Sequence, residues 1–315
     1  MLSRKKFIAQ SGMLAAGIAM RPSLAFANNF ETKRPPLAYR KFTSEAVEAT
    51  IVGMKKKITD PELAWLFENC FPNTLDTTVE FEMIESKPDT YVITGDIDAM
   101  WLRDSTAQVW PYLPFIKNDA KLRELIEGVI NRQKKCIILD PYANAFYKDV
   151  NKISEWKSDL TKMQPGIHER KWEIDSLCYP IRLAHRYWKT SGDIKVFDAD
   201  WKQCIKLTLQ TFKEQQRKHG DGPYSFQRTT AWATDGVPLA GYGYPVKPVG
   251  LICSTFRPSD DATLFSFLVP SNFFAVVSLK QSAEILNAVY KDAAMANECL
   301  SLAKEVEKAL QQYAI

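Results

Sequence analysis

Thr94-Gly95-Asp96-Ile97-Asp98-Ala99-Met100-Trp101-Leu102-Arg103-Asp104-Ser105 is where this sequence stops reading as strand and starts reading as helix. Just ahead of it, 78–83 and 90–94 have strand-like apolar patterning and predict a hairpin, with its turn at Pro88 and Asp89. Beyond it the three- and four-residue spacing of apolar positions predicts helices over 103–116, 119–137, 169–190, 194–218, 271–289 and 292–313. Another helix is expected over 42–57, and Asp60-Pro61-Glu62 opens a further one with a capping Asp, a proline in the first turn and an early acid. The connections 138–168, 219–235 and 236–270 are long, aromatic and rich in Pro and Gly, as functional loops are. Helix pairs separated by such loops predict a mainly α fold, an α/α toroid with its site at one mouth.

The opening stretch also carries chemistry. Asp96, Asp98, Trp101, Arg103 and Asp104 fall close together. Carboxylates and a guanidinium fork hydrogen-bond sugar hydroxyls, and an indole face packs on the C–H side of a pyranose. A plainer reading makes Asp104 and Ser105 helix caps and Arg103–Asp104 a surface pair. A second cluster, Glu169-Arg170-Lys171-Trp172-Glu173-Ile174-Asp175-Ser176, places Glu173 and Asp175 at a helix start, where Asp175 can cap or point into the mouth. Its plainer reading is a capping box with a solvated charge run. The third, Ser254-Thr255-Phe256-Arg257-Pro258-Ser259-Asp260-Asp261-Ala262, sets adjacent carboxylates beside an Arg. Mutual repulsion there would keep one acid protonated, Asp260, while Asp261 pairs with Arg257. Alternatively, Ser259 caps a helix that has both acids in its first turn.

Composition excludes some partners. The sequence has 41 Lys and Arg against 37 Asp and Glu. Met1 to Phe7 is basic, 12–20 is a short apolar run, and Ala25-Phe26-Ala27 fits signal cleavage, so 1–27 is expected to be an export signal and the product periplasmic or extracellular. Arg4, Lys5, Lys6 and Arg21 lie in that segment without any acid, so the remainder, 28–315, is charge-balanced. Nucleic acid and stable membrane insertion are therefore not expected. The aromatic load includes eight Trp; Trp65, Trp188 and Trp201 are expected to pack the core. Six widely spaced cysteines and three histidines form no ligand motif, so no metal or other cofactor is expected. Most of the cysteines read as buried thiols; a disulfide is open but unpaired from sequence.

The chain resembles glycoside hydrolase family 125. The resemblance runs from about residue 60 to the C-terminus through Thr94 to Ser105, Asn131-Arg132-Gln133, Asp140 to Phe146, Glu173 to Pro180, Tyr224-Ser225-Phe226-Gln227-Arg228 and Phe256 to Ala262. It implies an (α/α)6 barrel and an exo-acting α-1,6-mannosidase that inverts the anomeric carbon and releases mannose from N-glycan-type α-mannosides, without a metal in the chemistry. It implies that Asp260 is the general acid, with Asp96, Asp98, Trp101, Arg103, Asp104, Glu173, Asp175, Arg257 and Asp261 around the sugar. The family's general base, a Glu in the C-terminal third of its domain, has no match here. The expectation is thus a hydrolase domain over 28–315 lacking its C-terminal part, an inactive N-terminal portion, with apolar helix faces that make it poorly soluble alone. The competing readings are another (α/α)6 glycosidase of glucoamylase or trehalase type, and a non-catalytic carbohydrate-binding protein.

Overall fold

A computed structural model describes residues 30–315; the export signal expected over 1–27 lies outside them. Four α-hairpins follow one another along the described chain: α1 (Glu45–Lys55) with α2 (Pro61–Cys70), α3 (Leu102–Val109) with α4 (Ala120–Leu139), α5 (Ile174–Ser191) with α6 (Ala199–Gln215), and α7 (Val269–Ile285) with α8 (Ala293–Tyr313). Within each hairpin the link is short. Between hairpins run 71–101, 140–173 and 216–268, so these long segments gather at the opposite end. Helices α3, α5 and α7 pack side by side; α4 and α6 back them on the outside, and α8 lies against α7. This is the expected mainly α, paired-helix architecture, with one continuous apolar core that includes Leu102, Val109, Leu125, Val129, Leu177, Leu209, Phe212, Leu279 and Leu310. Among the described residues no helix is long and apolar enough to cross a membrane.

Capping follows the two ends of the helices. Helices α2, α4, α6 and α8 each begin on an aspartate, Asp60, Asp119, Asp198 or Asp292, whose carboxylate accepts a backbone N–H of the first turn. Of the helices that begin at the long-loop end, α1 is capped by Ser44, which accepts from the Val47 N–H, whereas α3, α5 and α7 follow Trp101, Glu173 and Leu268, none of which makes a side-chain cap. Their first N–H groups face the end where the charged side chains collect.

Two small sheets correct the sequence expectations. The hairpin pairs β1 (Val79–Ile84) with β2 (Lys87–Val92) from Val79↔Val92 to Ile84↔Lys87. Its turn is Glu85-Ser86, both with positive φ (49° and 64°). This is the twist a two-residue hairpin turn demands. Pro88 and Asp89 lie inside β2 instead, and Asp89 is buried because Arg132 Nε and Lys135 Nζ on α4 each reach it at 2.7 Å. Helix α4 approaches β2 so closely that a methyl group on Gly128 would sit 2.3 Å from Thr90 Oγ1 and 2.8 Å from its backbone nitrogen. The second sheet, β3 (Met100–Trp101), β4 (Ala145–Phe146) and β5 (Ile167–Glu169), is antiparallel and ties two of the long segments together. Residues 169–173 are therefore strand and loop, and helix begins only at Ile174. The expected helix over 103–116 finishes as a 3-10 segment, Trp110–Phe115.

Candidate active site

Arg103 is the second residue of α3, and the start of α3 is rigidly held. The Leu102 N–H donates to the Asn144 carbonyl at 3.1 Å. From α4, Gln133 Nε2 donates to both Ser105 Oγ and Thr106 Oγ1 at 2.9 Å. The guanidinium then meets four carboxylates contributed by three separate chain segments. Glu173 Oε2 lies 2.7 Å from Nη1, Asp175 Oδ2 3.6 Å from Nη1, Asp104 Oδ2 3.6 Å from Nε, and Asp260 Oδ1 3.7 Å from Nη2. Only the Glu173 contact is a direct hydrogen bond; Glu173 Oε2 also accepts from Ser176 Oγ at 2.8 Å. Glu173 Oε1, both oxygens of Asp175, Asp104 Oδ2 and Asp260 Oδ1 are buried without a hydrogen-bond partner. A group of orphaned acceptors around one cation is costly to fold and is what a polyhydroxyl ligand would satisfy.

Burial decides the protonation of the cluster. It pushes Glu173 well above the usual carboxylate range: Arg103 pulls back, but Asp175 and Asp260 add to the rise. Burial raises Asp175 likewise, against the pull of Arg103. For Asp260 burial again comes first, the charge of Glu169 adds to it, and Arg103 and Lys171 oppose it. Burial works against the charge on Arg103 too, yet Glu173 and the other three carboxylates hold its proton above the ordinary range. The site therefore combines a permanent cation with carboxyls that keep protons at unusually high pH.

Asp260 sits on a turn. Its N–H donates to the Arg257 carbonyl at 2.8 Å, and the Arg257 N–H donates to the Asp261 carbonyl at 2.9 Å. Its φ is +64°, in the left-handed region that an L-residue with a side chain seldom occupies. Neither acid is in a helical first turn; the next helix, α7, begins at Val269. Arg257 Nη2 pairs with Asp261 Oδ2 at 2.8 Å, at an exposed site. Hydrogen bonds from Ser259, Thr234 and Arg257 hold Asp261 below the usual range. The two neighbouring acids thus differ in direction, and the leading cause of the rise at Asp260 is its burial, with Glu169 next, rather than its neighbour Asp261.

Other sequence candidates lie apart from the cluster. Asp96 and Asp98 are exposed; Asp98 pairs with Lys152 at 3.1 Å, and neither touches Arg103. Trp101, expected to offer a stacking face, is only 7% exposed and packs edge-on against His168 at 5.1 Å. His168 Nδ1 in turn meets Tyr147 Oη at 2.9 Å. Trp101 is thus a buried wall. Trp201 lies in the core and Trp188 packs against it, whereas Trp65 is half-buried and donates to the Glu31 carbonyl. All six cysteines are free, five of them buried and Cys70 exposed.

Sequence reasoning missed a second charged network beside the first. Arg228 Nη2 pairs with Asp159 at 2.7 Å, while its Nη1 reaches Glu169 at 3.0 Å and Asp235 at 3.2 Å. Lys171 joins the same group at Glu169 and Asp235. Arg170 Nε binds Asp140 Oδ2 at 2.6 Å. The signal available was the alternation of charge with Trp172 and Phe226, whose aromatic rings are fully buried. A solvated charge run has no reason to carry them.

A family model described as metal-independent alpha-mannosidase, glycoside hydrolase family 125, matches residues 60–315. A solved structure from Streptococcus pneumoniae, belonging to a family of widely distributed metal-independent alpha mannosidases and holding α-1,6-mannobiose in a non-productive complex, superposes with a TM-score of 0.81 at 39% identity. That match covers 87% of this chain and 64% of the other. The meiotically up-regulated gene 157 protein of Schizosaccharomyces pombe is 37% identical over 300 residues, 90% of this chain and 59% of that protein. The chain thus spans about 59% of the yeast protein and 64% of the bacterial one.

Proposed function

We propose, for a chain that belongs to the metal-independent α-mannosidases of glycoside hydrolase family 125, that it serves an exo-acting, inverting α-1,6-mannosidase on N-glycan-type chains. The observation that carries the reading is the set of four carboxylates around Arg103, whose buried oxygens lack partners. Arg103, Asp104, Glu173 and Asp175 bind hydroxyls of the terminal mannose. A guanidinium donates in fixed directions, and the orphaned oxygens accept from the same hydroxyls. Asp260, whose carboxyl is pushed above the ordinary range mainly by burial, gives its proton to the glycosidic oxygen as the bond breaks. Inversion needs a second carboxylate about 6.5–9.5 Å from the acid, acting on a water across the ring; the reading assigns no base within residues 30–315. Release of mannose from an α-1,6-linked mannobiose, the sugar that the S. pneumoniae relative holds, is the reaction envisaged.

The test is Asp260→Asn, made in a form of the protein that supplies the base. A natural sugar leaving group needs a proton and a dinitrophenolate hardly does. The substitution should lower turnover of an α-1,6-dimannoside by about 10²–10⁴-fold, the usual worth of a general acid, while sparing dinitrophenyl α-mannoside. Equal losses on the two substrates would remove Asp260 from the acid's role.

A further inference from the structure

We propose that Lys171 is the positioning residue for the acid, holding the turn that presents the Asp260 carboxyl to the Arg103 cluster. The inference rests on reading Asp260 as the acid. The Lys171 side chain is 5% exposed. Its ammonium donates to Asp235 Oδ1 at 2.7 Å and to the Asp260 backbone carbonyl at 3.1 Å, and pairs with Glu169 Oε1 at 3.2 Å.

The base of that side chain is fixed from every direction. The Lys171 N–H donates to Asn144 Oδ1 at 3.1 Å. On one side, Arg170 is bound to Asp140; on the other, the Trp172 N–H donates to Tyr224 Oη at 3.0 Å and its indole N–H to the Cys253 carbonyl at 2.8 Å. A rigid post therefore projects a cation under the 257–261 turn. The turn closes on itself through backbone bonds, Asp260 N–H to the Arg257 carbonyl and Arg257 N–H to the Asp261 carbonyl. Its side-chain ties, Arg257–Asp261 and Ser259–Asp261, are exposed, and exposed pairs contribute little. Its apex carries a non-glycine residue at φ +64°. Such a conformation persists only where the surroundings over-determine it. The Lys171 ammonium on the Asp260 carbonyl is the side-chain contact that reaches that residue's backbone from outside the turn.

Removing this cation need not unfold the protein, because Glu169 and Asp235 both keep Arg228 as counter-ion, at 3.0 and 3.2 Å. Lys171→Met is therefore the informative variant, made beside Asp260→Asn in a form of the protein that supplies the base, with kcat and KM measured on an α-1,6-dimannoside and on dinitrophenyl α-mannoside. We expect kcat on the dimannoside to fall about 10²-fold, in the range that general acid catalysis supplies. KM and the dinitrophenyl rate should hold, and a crystal structure of the variant should show residue 260 outside the left-handed region. If Asp260→Asn is selective for the dimannoside but Lys171→Met depresses both substrates alike or neither, the positioning role is overturned and the acid assignment stands. If Asp260→Asn is itself unselective, the acid assignment fails and this inference with it. Should Lys171→Met not fold, Lys171→Gln, shorter but still a donor, must give a smaller loss with the same selectivity; an unselective loss refutes the role.

Discussion

Arg103→Met tests whether the candidate site is a compensated cluster of buried charge. Glu173 and Asp175 side chains are 0% and 4% exposed, and Arg103, itself 13% exposed, is the cation that faces both. Taking away one partner of a buried pair leaves charge in low dielectric and costs about 3–5 kcal/mol. For a domain of this size 3 kcal/mol corresponds to a melting shift of roughly 5 °C. The cost depends on pH, and its sign follows from the direction of the shifts. Glu173 and Asp175 have folded-state pKa values above their unfolded ones of 4.5 and 3.8. The folded state therefore binds more protons, and stability falls as pH rises from the unfolded values through the raised ones. Without Arg103 both groups shift further upward, so the variant loses more on going to neutral pH than the parent does. Denaturant midpoints at pH 4.5 and pH 7.5 should show a small gap between parent and variant in acid and a gap of about 3 kcal/mol at neutral pH. A gap equal at both pH values, or none at neutral pH, would refute the electrostatic account of the site.

Gly128→Ala should destabilise by about 1–3 kcal/mol, the usual cost of overpacking. Its methyl group would meet Thr90 and the Asp89 backbone at under 3.0 Å and disturb the bond from Thr90 Oγ1 to the Leu125 carbonyl at 2.7 Å; an unchanged denaturant midpoint would show that α4 does not lie that close to β2. The folded protein should present one fast thiol to an aromatic disulfide reagent, Cys70. Burial pushes the thiols of Cys136, Cys204 and Cys299 up to about 12; two or more fast equivalents before denaturant is added would contradict the packing of the helices.

What could be read from sequence was what local chemistry decides. The aspartate and proline at 60–61 start α2 as their side chains dictate, and the apolar periodicity of α4, α5, α6 and α8 marks the faces that meet in the core, whereas the buried residues of α7 include Ser271, Asn272, Ser278 and Ser282. The failures share a cause, which is compensation from residues distant in the chain. Pro88-Asp89 looks like a turn, yet Asp89 belongs in a buried strand because Arg132 and Lys135, more than forty positions later, neutralise it. Glu169 to Lys171 looks like a solvated charge run, yet its partners at Asp140, Arg228 and Asp235 take it out of water. Trp101 has the composition of a sugar platform, but His168 and its neighbours cover it. Asp104, Glu173, Asp175 and Asp260 were visible as separate acids; that all four face Arg103 is a property of two helix starts and one turn meeting.

The two charged networks divide the work between specificity of shape and readiness for chemistry. The outer network, Arg228 with Asp159, Glu169 and Asp235, satisfies its charges closely, with contacts of 2.7 to 3.2 Å. Such a network costs little beyond its burial and fixes where the long segments lie against one another. The inner network does the reverse: Arg103 makes one short contact and three of 3.6 to 3.7 Å, and five carboxylate oxygens have no hydrogen-bond partner. Left to itself, an arrangement of this kind would relax by letting the acids turn outward to water. It is prevented from doing so at Glu173 and Asp175 by the start of α5, and at Asp260 by a turn whose apex is bound to Lys171, a member of the outer network. Stability in the outer network therefore maintains the unsatisfied geometry of the inner one, and a ligand that supplied hydroxyl donors to those oxygens would meet a site already held in place.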